Sequence, residues 1–258
     1  MRNSLKRSLR ENSLTIGSWV TIGHPSIVEI MARAGFDWLA VDLEHSVIDL
    51  PATQILLSTI QTNGMVPLVR VGENNPKLIQ RVMDAGAYGI IVPMVKSKEL
   101  AEQAVRSVRY PPRGSRGVGL ARAQGYGFGF DEYAATVNEE TVVIAQIEHI
   151  DAVNNLEGIL SVDGIDGVLI GPYDLSGSLG CPGQFEDRAV LEAITRVETL
   201  CLARKMPLGF HVIQPEARLV HEKMQKGYRF LAFSLDSLFL GHSCIREMKS
   251  VDRSQGSG

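Results

Sequence analysis

Short, nearly continuous apolar runs recur along the chain, separated by longer segments in which apolar residues return every three or four positions. The runs are "TIGSWV" (15–20), "WLAVDL" (38–43), "VPLVRV" (66–71), "GIIVPMV" (89–95), "VVIAQIE" (142–148), "GVLIGP" (167–172), "PLGFHV" (207–212) and "FLAFSL" (230–235). Unbroken apolar character of this length is what parallel strands buried on both faces require. The segments between them, such as "SIVEIMARAG", "NPKLIQRVMDAG" and "QPEARLVHEKMQKG", carry a helical period. Gly35, Gly86 and Gly227 stand where a helix C′ residue belongs, just before the next strand. A strand followed by a helix, eight times over, predicts an α/β chain folded as a (β/α)8 TIM barrel. It would form a single domain over residues 1–252, with 253–258 as a flexible tail. A doubly wound open sheet is the structural alternative, but no G-x-G-x-x-G joins the first strand to the first helix.

One segment breaks the pattern. Between Arg109 and Val142 the chain is rich in Gly, Pro, Arg and aromatic residues and is too long for an ordinary connection. It is an irregular surface insertion, a lid or a subunit contact. Its Gly125, Gly127 and Gly129 do not lie between a strand and a helix, so they are given no nucleotide-binding role.

Composition narrows the choice of partner. The 258 residues are 45% hydrophobic and 21% charged, enough for a sizeable core, and the net charge of -3 arises from 26 basic and 29 acidic residues spread along the chain. There is no basic stripe for nucleic acid, so small-molecule partners are expected. Cys181, Cys201 and Cys244 have no metal-ligand or CxxC spacing and suit reduced thiols in a cytoplasmic protein. The basic N-terminus lacks the apolar stretch of a secretory signal, and no run approaches the roughly 20 apolar residues of a membrane span.

Candidate chemistry collects at the C-terminal ends of the predicted strands. They deliver Asp42, Glu44 and His45, Arg70, Gln146 and Glu148, Asp174, His211, and Ser234 with Asp236. Each has an ordinary explanation alone: Asp174 would cap a helix, and Arg70 would form a surface ion pair. Their convergence on the rim where barrel enzymes place their sites is the signal. Glu148 and Asp174, on neighbouring strands, offer two oxygen ligands to a hard divalent cation such as Mg2+ and leave other positions for substrate. Such a cation polarises a 2-oxo acid so that its α-proton becomes acidic. An arginine supplies directed donors to the oxygen that becomes an enolate. A histidine, which exchanges its proton near neutral pH, suits the base, and His45 is the candidate.

This set, together with "GSWV", "AGFDWLAVDLEHS", "PLVRV", "IQRVMDAGAYGIIVPMV", "RYPPRGSRGVG", "QIE" and "GIDGVLIGPYDLSGSLG" in that order, resembles the HpcH/HpaI family of class II, metal-dependent pyruvate aldolases. The resemblance spans nearly the whole chain. It implies reversible cleavage of a 4-hydroxy-2-oxo acid to pyruvate and an aldehyde. Glu148 and Asp174 would hold the divalent cation, Mg2+ or Mn2+ foremost, with Co2+ and Zn2+ as further candidates. Gln146 and the amide of Tyr173 would help bind pyruvate alongside Asp174, Arg70 would stabilise the enolate, and His45 would be the base, its basicity raised by Asp84. The family fold is the same barrel, assembled as hexamers whose C-terminal helices are exchanged between subunits.

Asp84 lies near the end of the helix before the fourth strand, at the opposite end of its barrel from His45. An acid at a helix C-terminus is mildly unfavourable and calls for a partner. A reach to His45 of a neighbouring subunit is the expectation. Two positions depart from the family pattern: Tyr173, where a small residue is usual and the acceptor pocket is expected, and His149, a second acid or base or, the preferred reading, a helix N-terminal residue. A citrate lyase-like enzyme acting on a CoA thioester, or a decarboxylase, would use the same metal pair and is the alternative. A Schiff-base aldolase is disfavoured because Lys96 and Lys98 follow the fourth strand and no lysine lies within a strand. A non-catalytic metabolite-binding barrel is disfavoured because each proposed position carries a competent residue.

Overall fold

The computed structural model describes residues 3–251, so the expected tail at 253–258 lies outside the described residues. Eight strands close into a barrel in sequence order, every neighbouring pair parallel. They are β1 (Thr15–Val20), β2 (Trp38–Asp42), β3 (Val66–Arg70), β4 (Gly89–Val92), β5 (Val142–Ile147), β6 (Gly167–Ile170), β7 (Leu208–Val212) and β8 (Phe230–Leu235). The helices run α1 (Ser4–Arg10), α2 (Pro25–Ala32), α3 (Leu50–Thr62), α4 (Pro76–Asp84), α5 (Lys98–Val108) and α6 (Phe130–Glu140). They continue with α7 (Ile150–Asn154), α8 (Leu156–Leu160), α9 (Pro172–Ser178), α10 (Arg188–Ala203), α11 (Ala217–Gln225) and α12 (Asp236–Ser250).

Runs one and eight coincide with β1 and β8, whereas the fourth and sixth stop short of the apolar residues that follow them. The reason is local. Pro93 has no amide to donate to the ladder, Met94 turns to φ 53°, and Pro172 begins a helix at its N1 position. These early exits turn strand ends into site loops.

The interior of the barrel and its outer layer are separate cores. Inside, Trp19, Trp38, Ala40, Leu68, Leu169 and Phe230 pack together, with the Trp38 and Phe230 rings stacked at 4.4 Å. Gly17 is needed here because a Cβ on it would collide with the Trp38 indole. The N-terminal end of the barrel is plugged by α1, a helix the apolar pattern did not announce. Leu5 and Leu9 join the interior cluster, and the buried Lys6 ammonium donates to Asp166 Oδ1 at 2.6 Å and to the Thr141 carbonyl at 2.8 Å. Of the cysteines, Cys201 is buried in the outer core with its thiol pushed up to about 12 by burial.

The irregular segment after α5 is held against the outside of its own barrel. Arg116 is fully buried there, donating to Asp84 and to the Tyr133 hydroxyl at 2.9 Å, and Tyr110, Tyr133 and Val137 form a small core of their own. None of the segment lines the cavity at the rim, which removes the reading of a lid over its own site. Val118, Leu120 and Phe128 are left exposed on it. Among the described residues no helix is long and apolar enough to cross a membrane.

Candidate active site at the C-terminal rim of the barrel

A cavity of about 460 Å³ opens at the C-terminal ends of the strands. Its charged wall begins with β2 and β3. Parallel pairing sets Asp42 opposite Arg70, and the guanidinium grips the carboxylate twice, Nε to Oδ1 at 2.8 Å and Nη2 to Oδ2 at 2.6 Å. Burial works to raise the Asp42 carboxyl, but the hydrogen bonds and charge of Arg70, aided by the Glu44 and His45 amides, hold it below the usual range. Arg70 also lies over the Trp19 ring at 4.3 Å, so it is fixed from two directions. Its Nη1 has no acceptor within the protein among the described residues, which leaves one donor group for a ligand.

Glu148 follows β5 and is almost fully buried, at 1% exposure. The Met94 amide donates to its Oε1 at 2.7 Å, and Gln146 Nε2 donates to its Oε2. Despite these bonds its carboxyl is raised, first by burial and then by the neighbouring negative charge of Asp174. Asp174 stands in the first turn of α9, exposed, with no partner for its carboxylate among the described residues. The ordinary capping explanation fails for it, because the N-cap is Gly171 and no side chain caps this helix. Gly171 itself makes room: a Cβ there would lie 2.8 Å from Glu148 Oε2.

Glu44 adds a further acid beside Arg70, 3.3 Å from its Nε. Burial, opposed by Arg70 and reinforced by Glu148, Asp42 and Asp174, pushes its carboxyl up to about 7. Asp42 and Glu44 thus contact the Arg70 guanidinium, while Glu148 and Asp174 line the same cavity. An excess of partly buried negative charge of this kind is balanced by protonation or by a cation.

The donor set fits a hard divalent cation. Among the described residues no group of three or more His, Cys, Asp or Glu is placed to hold a metal; Glu148 and Asp174 both line this cavity, and a two-carboxylate donor set is compatible with a hard divalent cation that takes its remaining ligands from substrate or water. Gln146 Oε1 is buried beside them without a partner, as a polar group awaiting a ligand would be. A donor set of oxygens alone suits a hard divalent cation rather than one that prefers nitrogen and sulfur ligands.

His45 is exposed at the mouth, its Nε2 3.9 Å from Glu44 Oε2. Tyr173, 54% exposed, lines the same cavity. His149 caps α7 by accepting from the Asp151 amide at 3.1 Å, the helix N-terminal role expected of it. Asp236 is not at the reaction centre. Its buried carboxylate accepts from the Thr21 and Ile22 amides, both at 2.8 Å, and from the Thr21 hydroxyl, tying β8 to β1.

Asp84 is not brought to His45 of the same chain. It lies in a separate depression beside Leu50, Gln54 and Arg81, and its carboxylate accepts from Arg116 Nη2 at 2.6 Å. The helix-end acid therefore already has its compensating charge within the chain. Two contributors to the cavity had been given no role in the sequence: Trp19, under Arg70, and His211, which burial pushes down to about 4 and so keeps neutral. Their strand-end positions were visible, but an indole inside a barrel reads as core until its neighbour is known.

A match to the family of HpcH/HpaI aldolase/citrate lyase covers residues 15–243. The hydroxypyruvate/pyruvate aldolase of Roseobacter denitrificans is 36% identical over 243 residues, covering 92% of this chain and 93% of its own. The 4-hydroxy-2-oxovalerate aldolase of Novosphingobium aromaticivorans is 38% identical over 236 residues, covering 91% of this chain and 89% of its own. A solved HpcH/HpaI aldolase/citrate lyase family protein from Burkholderia cenocepacia superposes with a TM-score of 0.90 at 32% identity, covering 96% of this chain and 98% of that one.

Proposed function

Because the chain belongs to the HpcH/HpaI aldolase/citrate lyase family, we propose that it is a divalent-metal-dependent aldolase that reversibly cleaves a 4-hydroxy-2-oxo acid to pyruvate and an aldehyde. The carrying observation is the pair of carboxylates, Glu148 and Asp174, facing one cavity across from a clamped arginine. Mg2+ or Mn2+, held by that pair, would supply Lewis acidity to the keto group.

The protein groups supply the rest. Gln146 and the Met94 amide hold Glu148 in one orientation, and the second Nε2 hydrogen of Gln146 and the Tyr173 amide are available as donors to the 2-oxo acid. In the cleavage direction His45, directly or through a water, accepts the proton of the C4 hydroxyl. The O–H electrons then form the aldehyde carbonyl, the C3–C4 bond breaks, and its electron pair remains on C3 as an enolate. Arg70 faces the enolate oxygen with a donor whose position Asp42 and Trp19 have already fixed, so no reorganisation is needed as charge develops. Protonation at C3 gives pyruvate. The citrate lyase-like alternative finds less support, because among the described residues no lysine and no second arginine lines the cavity to receive the phosphates of CoA.

The reading extends to assembly as a homohexamer in the cytoplasm. It is supported by α12, which beyond Gly241 is exposed and displays Ile245 and Met248, and by the exposed Val118, Leu120 and Phe128 of the irregular segment. In such an assembly Asp84 of one copy would serve His45 of the next. Restored activity in mixed oligomers of His45→Ala and Asp84→Ala protein supports that arrangement, and no recovery counts against it.

The decisive experiment is deuterium exchange into the methyl group of pyruvate with and without Mg2+ or Mn2+. Exchange that disappears in excess chelator and returns with the cation is the expected result. Full activity in excess chelator refutes the proposal.

A further inference from the structure

The cavity is chemically lopsided. Asp42, Arg70, Glu148 and Asp174 give it a charged side from β2, β3, the loop after β5 and the first turn of α9, whereas β7, β8, β1 and the residues that follow them contribute Ile213, Leu235, Thr21 and Trp19. His211, on the same arc, is buried and neutral, and Asp236 beneath it is consumed by Thr21 and Ile22. That arc carries no charge.

Tyr173 borders the neutral arc from the first turn of α9. Its ring is met edge-on by Phe185 at 4.8 Å between centroids and 87° between planes. The loop carrying Phe185 is pinned to α9 by the Gly183 amide donating to Ser176 Oγ at 2.9 Å and the Cys181 amide donating to the Ser176 carbonyl at 3.0 Å. The phenol ring is therefore a supported wall, and a T-shaped aromatic pair resists displacement.

The cavity also offers no free arginine or lysine. Among the described residues Arg70 is the only arginine that lines it and no lysine does, two of the three guanidinium nitrogens are spent on Asp42, and His45, at the mouth, is the base of the reaction in the reading above. In the reading above, the cation that Glu148 and Asp174 would hold and the Tyr173 amide would together answer the charge of pyruvate itself. A second carboxylate, carried by the acceptor, would enter beside Asp174 and Glu148 without a partner, and like charges so placed are strongly disfavoured.

We infer that the acceptor is an uncharged aldehyde with an apolar or aromatic substituent, seated against Tyr173 and the Ile213–Leu235 wall. The inference rests on the aldolase reading and narrows its substrate class. It also gives Phe185 the role of a positioning residue, acting through Tyr173.

The test compares butanal with 4-oxobutanoate, which has the same four-carbon chain but ends in a carboxylate, as acceptors for pyruvate with the full chain and Mn2+. Butanal should exceed 4-oxobutanoate in kcat/KM by at least about tenfold. Ile213→Arg, which adds a cation to the neutral arc, should reduce that ratio by about tenfold. Tyr173→Arg offers the same change from the other side should the first variant fail to fold. Tyr173→Ser should lower kcat/KM for benzaldehyde by about tenfold, as loss of apolar contact area does. Equal use or preference for 4-oxobutanoate by the wild type, with pyruvate exchange intact, overturns this inference alone. Absence of pyruvate exchange overturns the aldolase reading and the inference with it.

Discussion

Gly171→Ala tests the metal-ligand geometry with the smallest possible change. Gly171 has φ -101° and ψ 93°, which any residue adopts, so the backbone does not object to a side chain. The space does: the new Cβ would lie 2.8 Å from Glu148 Oε2 and 2.9 Å from Glu148 Cβ. Ordinary contact distances require the carboxylate to retreat by about 0.6 Å. The Met94 amide, now 2.7 Å from Oε1, would then be near the outer limit of a hydrogen bond. Overpacking of this kind costs about 1–3 kcal/mol, and the entropy gained by removing a glycine from the unfolded chain returns about 0.4–1 kcal/mol. The net, on the order of 1–2 kcal/mol, lowers Tm by a few degrees, roughly 2–4 °C per kcal/mol for a chain of this size. Activity should suffer more, because a misplacement approaching 1 Å at a reacting centre costs up to about 100-fold. Gly177→Ala, on the same helix with nothing within 4 Å of its Cβ, is the control and should behave as wild type. The assay is pyruvate methyl exchange titrated with Mg2+, beside thermal unfolding of both variants. A Gly171→Ala protein whose exchange rate and Mg2+ midpoint match those of Gly177→Ala would show that Glu148 is not a ligand held where the structure has it.

Three further outcomes are expected. Arg70→Lys loses the two-point grip on Asp42 and the fixed donor, so kcat/KM should fall about 100–1,000-fold; a loss under tenfold in steady-state kinetics would remove Arg70 from the enolate role. Lys6→Met strands the buried Asp166 carboxylate, costing about 3–5 kcal/mol of stability, and an unchanged denaturation midpoint would mean that α1 does not hold the barrel closed. Glu44 has its folded-state value raised to about 7 from 4.5, so its stabilising contribution is full below about 4.5 and lost as pH rises through 7. In metal-free protein, the Tm of wild type minus that of Glu44→Gln should therefore increase as pH falls from 8 to 5, and a flat or inverted difference would contradict the burial argument.

Much of the fold was legible because the barrel is written in a period the sequence cannot hide. Parallel strands buried on both faces need unbroken apolar runs, and all eight runs became strands. Where the runs overshot, the residues responsible were apolar for a different purpose: Pro93, Met94 and Val95 leave the ladder and turn into the loop whose Met94 amide holds Glu148. The helix α1 escaped because a short segment of mixed charge has no strong period. Its burial depends on Leu5, Leu9 and Lys6 meeting the N-terminal mouth of the barrel, a contact made only once the sheet has closed.

At the site, the residue types could be read from the chain, while their states depend on neighbours remote in sequence. That Asp42 and Arg70 stand at strand ends follows from the runs; that they are locked together follows from the register between β2 and β3. The lock decides the chemistry, because an arginine saturated by one carboxylate has only one side left to offer an oxygen and nothing to offer a second anion. Asp84 shows the opposite case. Its type and helix-end position suggested an acid in search of a partner, yet Arg116, 32 residues on and inside the least regular segment of the chain, had already met it. Any service to another copy's His45 must therefore be performed by a carboxylate whose charge is shared with a buried guanidinium. Such a group orients an imidazole better than it strengthens it as a base. Asp84→Asn should accordingly preserve more of the exchange rate than Asp84→Ala, and an equal loss in both would mean that the charge itself, rather than the hydrogen bond, is what His45 needs.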